Sequence, residues 1–401
     1  MTTPEEALEQ AFRDDWGRIV ATLIGGTGDW DLAEESAQEA FARALPAWRR
    51  DGVPERPRAW LTTAARNHAV DRLRRAKVGA DKLRLLAVQT ASDPPGPIAD
   101  DRLRLIFTCC HPALGFEAQV TLALRTLCGL SVAEIARAFA VSEASMAKRL
   151  VRTRKKIVTA RIPYRVPPAD LLPARTAAVL GVVYLLFNEG YAATSGPDLL
   201  RTDLCAAAVR LAAAVAELLP GDPEAQGLYA LLLLHQARAA TRVDAAGGLI
   251  PLEEQDRTRW NRPMIEDGLA LLRRAALAGP LGPYRLQALI AACHATAPIA
   301  SATDWPQIAG LYDDLMVLVP SPTVRLNRAI AVGMAIGPEA GLALLDELST
   351  ADVPLREAAR ADLLRRAGRM AEAAEAYRRA IDLTRNQAEQ RYLRGRLASL
   401  G

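Results

Sequence analysis

Apolar residues recur at intervals of three and four along most of this chain, while the alternation expected of strands is nearly absent, so the pattern predicts an all-α protein. The sharpest local pattern lies in 131–157, SVAEIARAFAVSEASMAKRLVRTRKKI. Ser131 is spaced to cap a first helix with Glu134 as its capping-box partner, and Ile135, Ala136 and Phe139 form the inward face. A turn at Ala140-Val141-Ser142 follows, and Ser142 is placed to cap a second helix. On that helix Met146 and Leu150 fall four apart and face inward, which leaves Glu143, Ala144, Ser145, Lys148, Arg149 and Arg152 toward solvent or a groove. Short residues early and cations late are what a helix-turn-helix needs, because its N-terminal residues approach base edges while later turns meet phosphate.

Two earlier helices carry opposite charge. The spacing predicts one from Asp31 to Trp48, with Asp31 as N-cap and Glu34 as its box partner, showing Glu34, Glu35, Gln38 and Glu39 before any cation. A second, from about Arg58 to Lys77, carries Arg58, Arg66, Arg72, Arg74, Arg75 and Lys77 against the single acid Asp71, with Trp60, Asn67 and His68 interspersed. Cations that hold phosphate beside flat groups that contact exposed bases suit a strand of nucleic acid, and equally an arginine-rich surface helix. Breaks at 25–29 and 51–57 separate these helices, and Ser92-Asp93-Pro94-Pro95-Gly96-Pro97 cannot continue one. A further proline-rich break covers 162–168, and the remainder reads as helical. The punctuation divides the chain into 1–78, a linker 79–100, 101–161, and an extension 162–401. Within the extension, Ala361–Ile381 has small residues at a helix crossing, Gly368 at a turn and Tyr377 in the second helix, close to a tetratricopeptide hairpin, and a weaker copy runs from about Val324 to Leu345.

At 401 residues, half of them apolar, the chain can bury cores for two or three domains. No apolar run approaches the roughly 20 residues needed to span a bilayer, and the acidic N-terminus lacks a signal peptide, so no membrane contact and a cytoplasmic location are expected. Five cysteines without a CxxC pair read as reduced thiols; Cys109-Cys110-His111 is read as structural, with no metal. The net charge of +4 is unevenly spread: residues 1–161 hold 25 basic and 20 acidic side chains, and Arg137 to Arg161 alone hold eight cations against Glu143. All five lysines lie in that first part, so any polyanion-facing work belongs there. There is no GxxxxGK[ST], HExxH or GxSxG, and the four histidines are scattered, so neither catalysis nor a cofactor is expected.

The order of an acidic helix, a basic aromatic helix, a proline-rich linker and a helix-turn-helix with a basic exit resembles the bacterial sigma factors of the extracytoplasmic-function type. Asp31-Leu32-Ala33-Glu34-Glu35-Ser36-Ala37-Gln38-Glu39-Ala40-Phe41 is similar to that family's core-polymerase-binding helix in region 2. Arg58–Asn67 with Asp71-Arg72-Leu73-Arg74-Arg75 is similar to its minus-10 reading segment, and the helix-turn-helix corresponds to region 4, which reads minus-35. Ser36 and Ala37 depart from a more apolar pattern, and Ala140 stands where such turns usually carry Gly. The resemblance implies core RNA polymerase and promoter DNA as partners. Asp31, Glu34, Glu35, Gln38 and Glu39 would dock on polymerase, and Trp60, Arg66, Asn67, His68, Arg72, Arg74, Arg75 and Lys77 would hold the minus-10 strand. In the helix-turn-helix, Ser142, Glu143, Ser145, Lys148 and Arg149 would reach bases or the adjacent backbone, and Arg152, Arg154, Lys155 and Lys156 would hold phosphates. A flipped base would sit near Asn67, His68 or the loop before Arg58.

The extension resembles that of a subgroup with a fused C-terminal tetratricopeptide-like domain, in which Phe187-Asn188-Glu189-Gly190-Tyr191 and 252–260 look like recurring motifs. The resemblance implies activity tuned in cis and a regulatory protein that binds the repeats. Asn188-Glu189-Gly190 reads as a helix end with Gly190 in a left-handed cap and Phe187 and Tyr191 inward. Alternatively Asn188, Glu189, Asp256, Arg257 and Trp260 line a polar cleft between the extension and the preceding modules. A competing reading of the chain is a repressor or activator that uses the helix-turn-helix alone, but it leaves both charged helices unexplained.

Overall fold

The pattern of threes and fours is realised as helices throughout: a computed structural model describes residues 3–75, 101–139, 141–191, 200–244, 248–276, 279–348, 355–384 and 386–400, and among them no strand forms. Lys77, the linker 79–100 and Ala140 of the expected turn lie outside the described residues. The contacts separate two units, 1–183 and 184–401.

In the first unit, α1 (Pro4–Thr27) starts from a capping box in which Thr3 and Glu6 satisfy each other's backbone N–H. It ends at Gly28, whose φ of 65° suits a residue without Cβ. α2 (Trp30–Asp51) and α3 (Pro57–Arg75) pack on it and on each other. Trp16, Ile19, Val20 and Leu23 of α1 meet Ala33, Ala37, Ala40, Ala44 and Trp48 of α2 and Leu61, Ala65 and Ala69 of α3, all buried at helical spacing. The alanines bring the helices close enough for the aromatic residues to fill the space between.

Among the described residues four further helices follow: α4 (Asp101–Cys109), α5 (Phe116–Thr126), α6 (Val132–Ala138) and α7 (Glu143–Thr159). α4 packs on both α1 and α5, so the three-helix bundle and the four-helix module share one interior. Trp16 Nε1 donates to the Thr126 carbonyl at 3.2 Å. Gly129, with φ of 75°, passes so close that a Cβ there would stand 2.8 Å from the Phe12 ring, so only glycine fits. Tyr164, in the break after α7, donates to the Ala21 carbonyl at 2.8 Å. Cys109, Cys110 and Cys128 are buried thiols in this interior, and burial pushes Cys110 up to about 12.

α8 (Leu172–Tyr191) leads into the second unit, which contains α9 (Thr202–Leu218), α10 (Pro223–Gln236), α11 (Arg262–Ala275), α12 (Pro283–Thr296), α13 (Trp305–Leu318), α14 (Pro322–Ala335), α15 (Pro338–Asp346), α16 (Arg356–Arg366), α17 (Met370–Leu383) and α18 (Gln387–Ala398). A chain with 25 prolines stays helical because many open a helix: α10 to α15 each carry Pro in their first two positions, where no intrahelical N–H is lost. Three single-turn 3₁₀ helices at 239–241, 252–254 and 257–259 join α10 to α11. The hairpin read at 361–381 is α16 and α17, with Gly368 at φ 77° between them and Ala361, Ala373, Ala376, Tyr377 and Ala380 buried. Its weaker copy is α14 and α15, where a Cβ on Gly341 would stand 2.8 Å from the Ala329 carbonyl oxygen.

Two local expectations need correction. The N-cap of α2 is Asp29, whose side chain accepts from Leu32 N, and Glu34 makes no box with Asp31 because it turns inward. Gly190 is no left-handed cap: it is helical within α8 and seats α9, since a Cβ would stand 2.8 Å from Cys205 N. Phe187 and Tyr191 are buried as expected.

Candidate nucleic-acid and protein-docking interface

Both helices of the helix-turn-helix begin as their caps dictate. Ser131 Oγ accepts from Glu134 N, and the Ser131 hydroxyl and backbone N–H each donate to the Glu134 carboxylate at 2.7 Å, which holds that carboxyl below its usual range. Ser142 Oγ accepts from Ser145 N at 3.2 Å. Ile135, Ala136, Met146 and Leu150 are buried, and Phe139 half-buried, so α6 and α7 pack through the small side chain of Ala136. The solvent side of α7 presents Ser142, Glu143, Ser145 and Lys148 at its start and Arg152, Lys155 and Lys156 further on. Arg149 is half-buried, held by Glu117 of α5 at 3.0 Å.

Arg154 departs from this row. Its side chain is only 15% exposed and reaches Asp31 and Glu34 of α2 rather than solvent. Glu34, 4% exposed, also accepts from Arg125 Nε of α5 at 2.8 Å and from Thr126 Oγ1 at 3.2 Å. One carboxylate thus binds two guanidinium groups and a hydroxyl from the module 90 and more residues away. A charge at this depth is tolerable because it is paired and its oxygens are hydrogen-bonded. The outward stripe of α2 is Asp31, Glu35 and Gln38, with Glu39 half-exposed and joined to Arg43 at 2.6 Å. Arg125 and Thr126 escaped the sequence reading. Their signal was a lone cation inside the apolar run Val120–Leu130, where an arginine needs a partner.

On α3, Asn67, Arg74 and Arg75 are exposed, and Arg66 and Trp60 half-buried, with Trp60 edge-on to Trp48 at 5.9 Å. His68 Nδ1 lies 3.1 Å from Ser36 Oγ, so the buried polar Ser36 of α2 has a partner on α3. Arg72 meets Glu35 at 3.2 Å, an exposed pair of small energetic weight. The structure therefore gathers Trp60, Arg66, Asn67, His68 and Arg72 to Arg75 on one helix and the α7 cations on another. Beside the N-terminus of α3, a cleft of about 650 Å³ is lined by Asp14 and Asp15 of α1 and Arg56, Pro57 and Arg58. Burial pushes the Asp15 carboxyl up. Among the described residues no group of ligating side chains suits a metal, and no helix is long and apolar enough to cross a membrane.

Residues 12–78 match sigma-70 region 2, residues 104–157 match sigma-70 region 4, and residues 175–276 match a family of unknown function, DUF6596. An uncharacterized protein of Rhizobium meliloti, R00370, is 44% identical over 381 residues, which is 92% of this chain and 90% of that protein. The probable ECF RNA polymerase sigma factor SigI of Mycobacterium tuberculosis is 30% identical over 174 residues, which is 41% of this chain and 59% of that protein. No solved structure matches the chain.

Proposed function

We infer from a chain that belongs to one family with the Rhizobium meliloti protein R00370, and that carries sigma-70 regions 2 and 4, that it is a sigma factor of the extracytoplasmic-function type. It has no catalytic step of its own: it recruits core RNA polymerase to promoter DNA in the cytoplasm and starts transcription there. The observation that carries the reading is the pairing of two charged surfaces in one unit, an acidic stripe on α2 and cation rows on α3 and α7, on the segments that match the two sigma regions.

Asp31, Glu35, Gln38 and Glu39 dock on a basic surface of polymerase, a contact weakened by salt. Glu34 joins them only when it leaves Arg125 and Arg154, so the two modules separate as the holoenzyme forms. The same separation frees Arg154 for phosphate alongside Arg152, Lys155 and Lys156. α7 enters the major groove at minus-35 with Ser142, Glu143, Ser145, Lys148 and Arg149 nearest the bases, each good base contact worth about 1–3 kcal/mol of discrimination. α3 takes the displaced strand at minus-10 through Trp60, Arg66, Asn67, His68, Arg72, Arg74, Arg75 and Lys77. The cleft beside Arg58 has room for one flipped base, and its aspartates suit a base amino group better than a phosphate. Residues 162–401 form a tetratricopeptide-like extension that tunes this activity in cis and receives a regulatory protein.

The test is transcription with core polymerase, comparing the full chain with E35K/E39K and with a chain ending after Arg165, which keeps the Tyr164 bond to α1. Promoter-dependent transcripts are expected from the full chain. E35K/E39K, at an exposed and a half-exposed position, should keep its helicity and lose core binding. Failure of the full chain to bind core polymerase sinks the sigma reading. Equal transcript yield and core affinity from the shortened chain removes regulation in cis.

A further inference from the structure

The second unit holds a cluster of cations, Arg257 buried and Arg238 and Arg242 half-buried, that neither sigma region uses. Tyr191 at the end of α8 and His235 near the end of α10 face each other with ring centroids 5.2 Å apart, and Phe187 stacks on Tyr191 at 5.1 Å. Two guanidinium groups from the turn after α10 lie over the Tyr191 ring, Arg242 at 3.7 Å from its centroid and Arg238 at 5.7 Å. A third, Arg257, lies 4.8 Å from the Trp260 ring and donates to the carbonyls of His294 at 2.6 Å and Ala297 at 2.7 Å. Arg238 Nη2 is 3.3 Å from His235 Nδ1.

Among the described residues, none of Arg238, Arg242 and Arg257 has a carboxylate in ion-pair contact. The acid that acts on Arg242 is Glu389 of α18, beyond ion-pair range and itself pushed up by burial. Four polar atoms here are buried without a hydrogen-bond partner among the described residues: Tyr191 Oη, Gln236 Oε1, Arg257 Nε and His294 Nδ1. Tyr191 is 8% exposed and Arg257 6%, so water does not complete them at the surface. Burial and the neighbouring cations push Arg242 and Arg257 down, hold His235 well below its usual value and bring His294 to about 4. Buried cations are normally paired or hold a ligand, and guanidinium forks match oxyanions.

We propose that Arg238, Arg242 and Arg257 form a binding site for a small oxyanion, a ligand bearing a phosphate or carboxylate group, with Tyr191 Oη and His294 as further donors. The apolar walls Phe187, Tyr191 and Trp260 are buried, which excludes a nucleic-acid strand and selects a small molecule. The site goes beyond the sigma reading: it gives the extension a chemical input. A bound anion ties the turn at 238–242 to the turn at 257–260, two segments now joined through Trp260 Nε1 donating to Thr241 Oγ1 at 3.0 Å.

The experiment titrates the full-length protein with inorganic phosphate and, in a second arm, with acetate, each against sodium chloride at matched ionic strength. Thermal unfolding and calorimetry are the readouts. One arm should raise the unfolding midpoint saturably, by about 5 °C at a hundredfold excess over Kd, and the arm that does so assigns the head group. R242Q should weaken binding at least tenfold. Because Arg242 also donates to the Tyr191 carbonyl, R238Q, whose side chain among the described residues hydrogen-bonds His235 alone, guards against a folding defect. R325Q, which removes an exposed cation of α14 outside the cluster, should bind as the parent does. No shift with either anion, or the same shift in R242Q and R238Q as in the parent, overturns the proposal. Polymerase is absent from the assay, so its outcome is independent of the sigma reading.

Discussion

His235 and His294 are kept neutral by burial among Arg238, Arg242 and Arg257, and that has a cost at low pH. Their folded pKa values lie below the unfolded value, so the unfolded chain binds protons first as pH falls. Stability contributed by the neutral rings is complete above about pH 6.5 and is lost as pH drops through that value toward 4. Between pH 7.5 and 5, His294 should remove about 2 kcal/mol from the second unit, and His235 adds a loss in the same direction. Urea unfolding in chloride buffers at the two pH values checks this, and a pH-independent midpoint would contradict it. Glu134 shifts in the same direction for a different reason: the hydrogen bonds from Ser131 favour its charged form, so its contribution stands above about pH 4.5 and fades only below that.

At the scale of elements, α7 divides its cations by direction. Lys148, Arg152, Lys155 and Lys156 are exposed, Arg149 is tied to Glu117, and Arg154 is tied to α2. If Lys155 and Lys156 each neutralise one phosphate, K155A/K156A should lower the slope of log K against log salt by about 2 in magnitude, uniformly across DNA sequences. Filter binding or fluorescence anisotropy over a salt series measures that slope, and an unchanged one removes both lysines from the backbone contact. The helix-turn-helix was legible in the sequence because its determinants are local: a cap, its partner three residues on, and inward residues at spacing four. The hairpin of α16 and α17 was legible for the same reason. The inward turn of Glu34 was not, since its partners Arg125 and Arg154 lie 91 and 120 residues away and helical periodicity says nothing of what faces an element from afar. Asp29 was missed as the cap of α2 because Asp31, two residues on, fits the same local rule. Gly190 was misread because a glycine that permits a left-handed cap and one that admits a neighbouring helix look alike in one dimension.

Over the whole first unit, the pairing of Glu34 with Arg125 and Arg154 joins two modules that the sequence separates. Breaking a buried pair by removing one partner usually costs about 3–5 kcal/mol, because the other charge stays buried. R125Q should therefore lower the stability of residues 1–183 by about 3 kcal/mol in urea unfolding. A loss below about 1 kcal/mol would mean that Glu34 is solvated by other means. The sequence foretold two modules and a helical extension, but not that the modules share an interior through Trp16, Gly129 and Tyr164, since close packing of distant segments leaves no periodic trace. If Glu34 docks on polymerase as proposed, it cannot serve its own chain and that partner together, and the chain competes with polymerase for the carboxylate. If only about one molecule in a hundred has it released, the apparent dissociation constant for polymerase is about a hundredfold weaker than the intrinsic one. That reserve is a threshold: low levels of the protein would leave polymerase to other factors, and whatever loosens Arg125 or Arg154 would raise occupancy without any new synthesis.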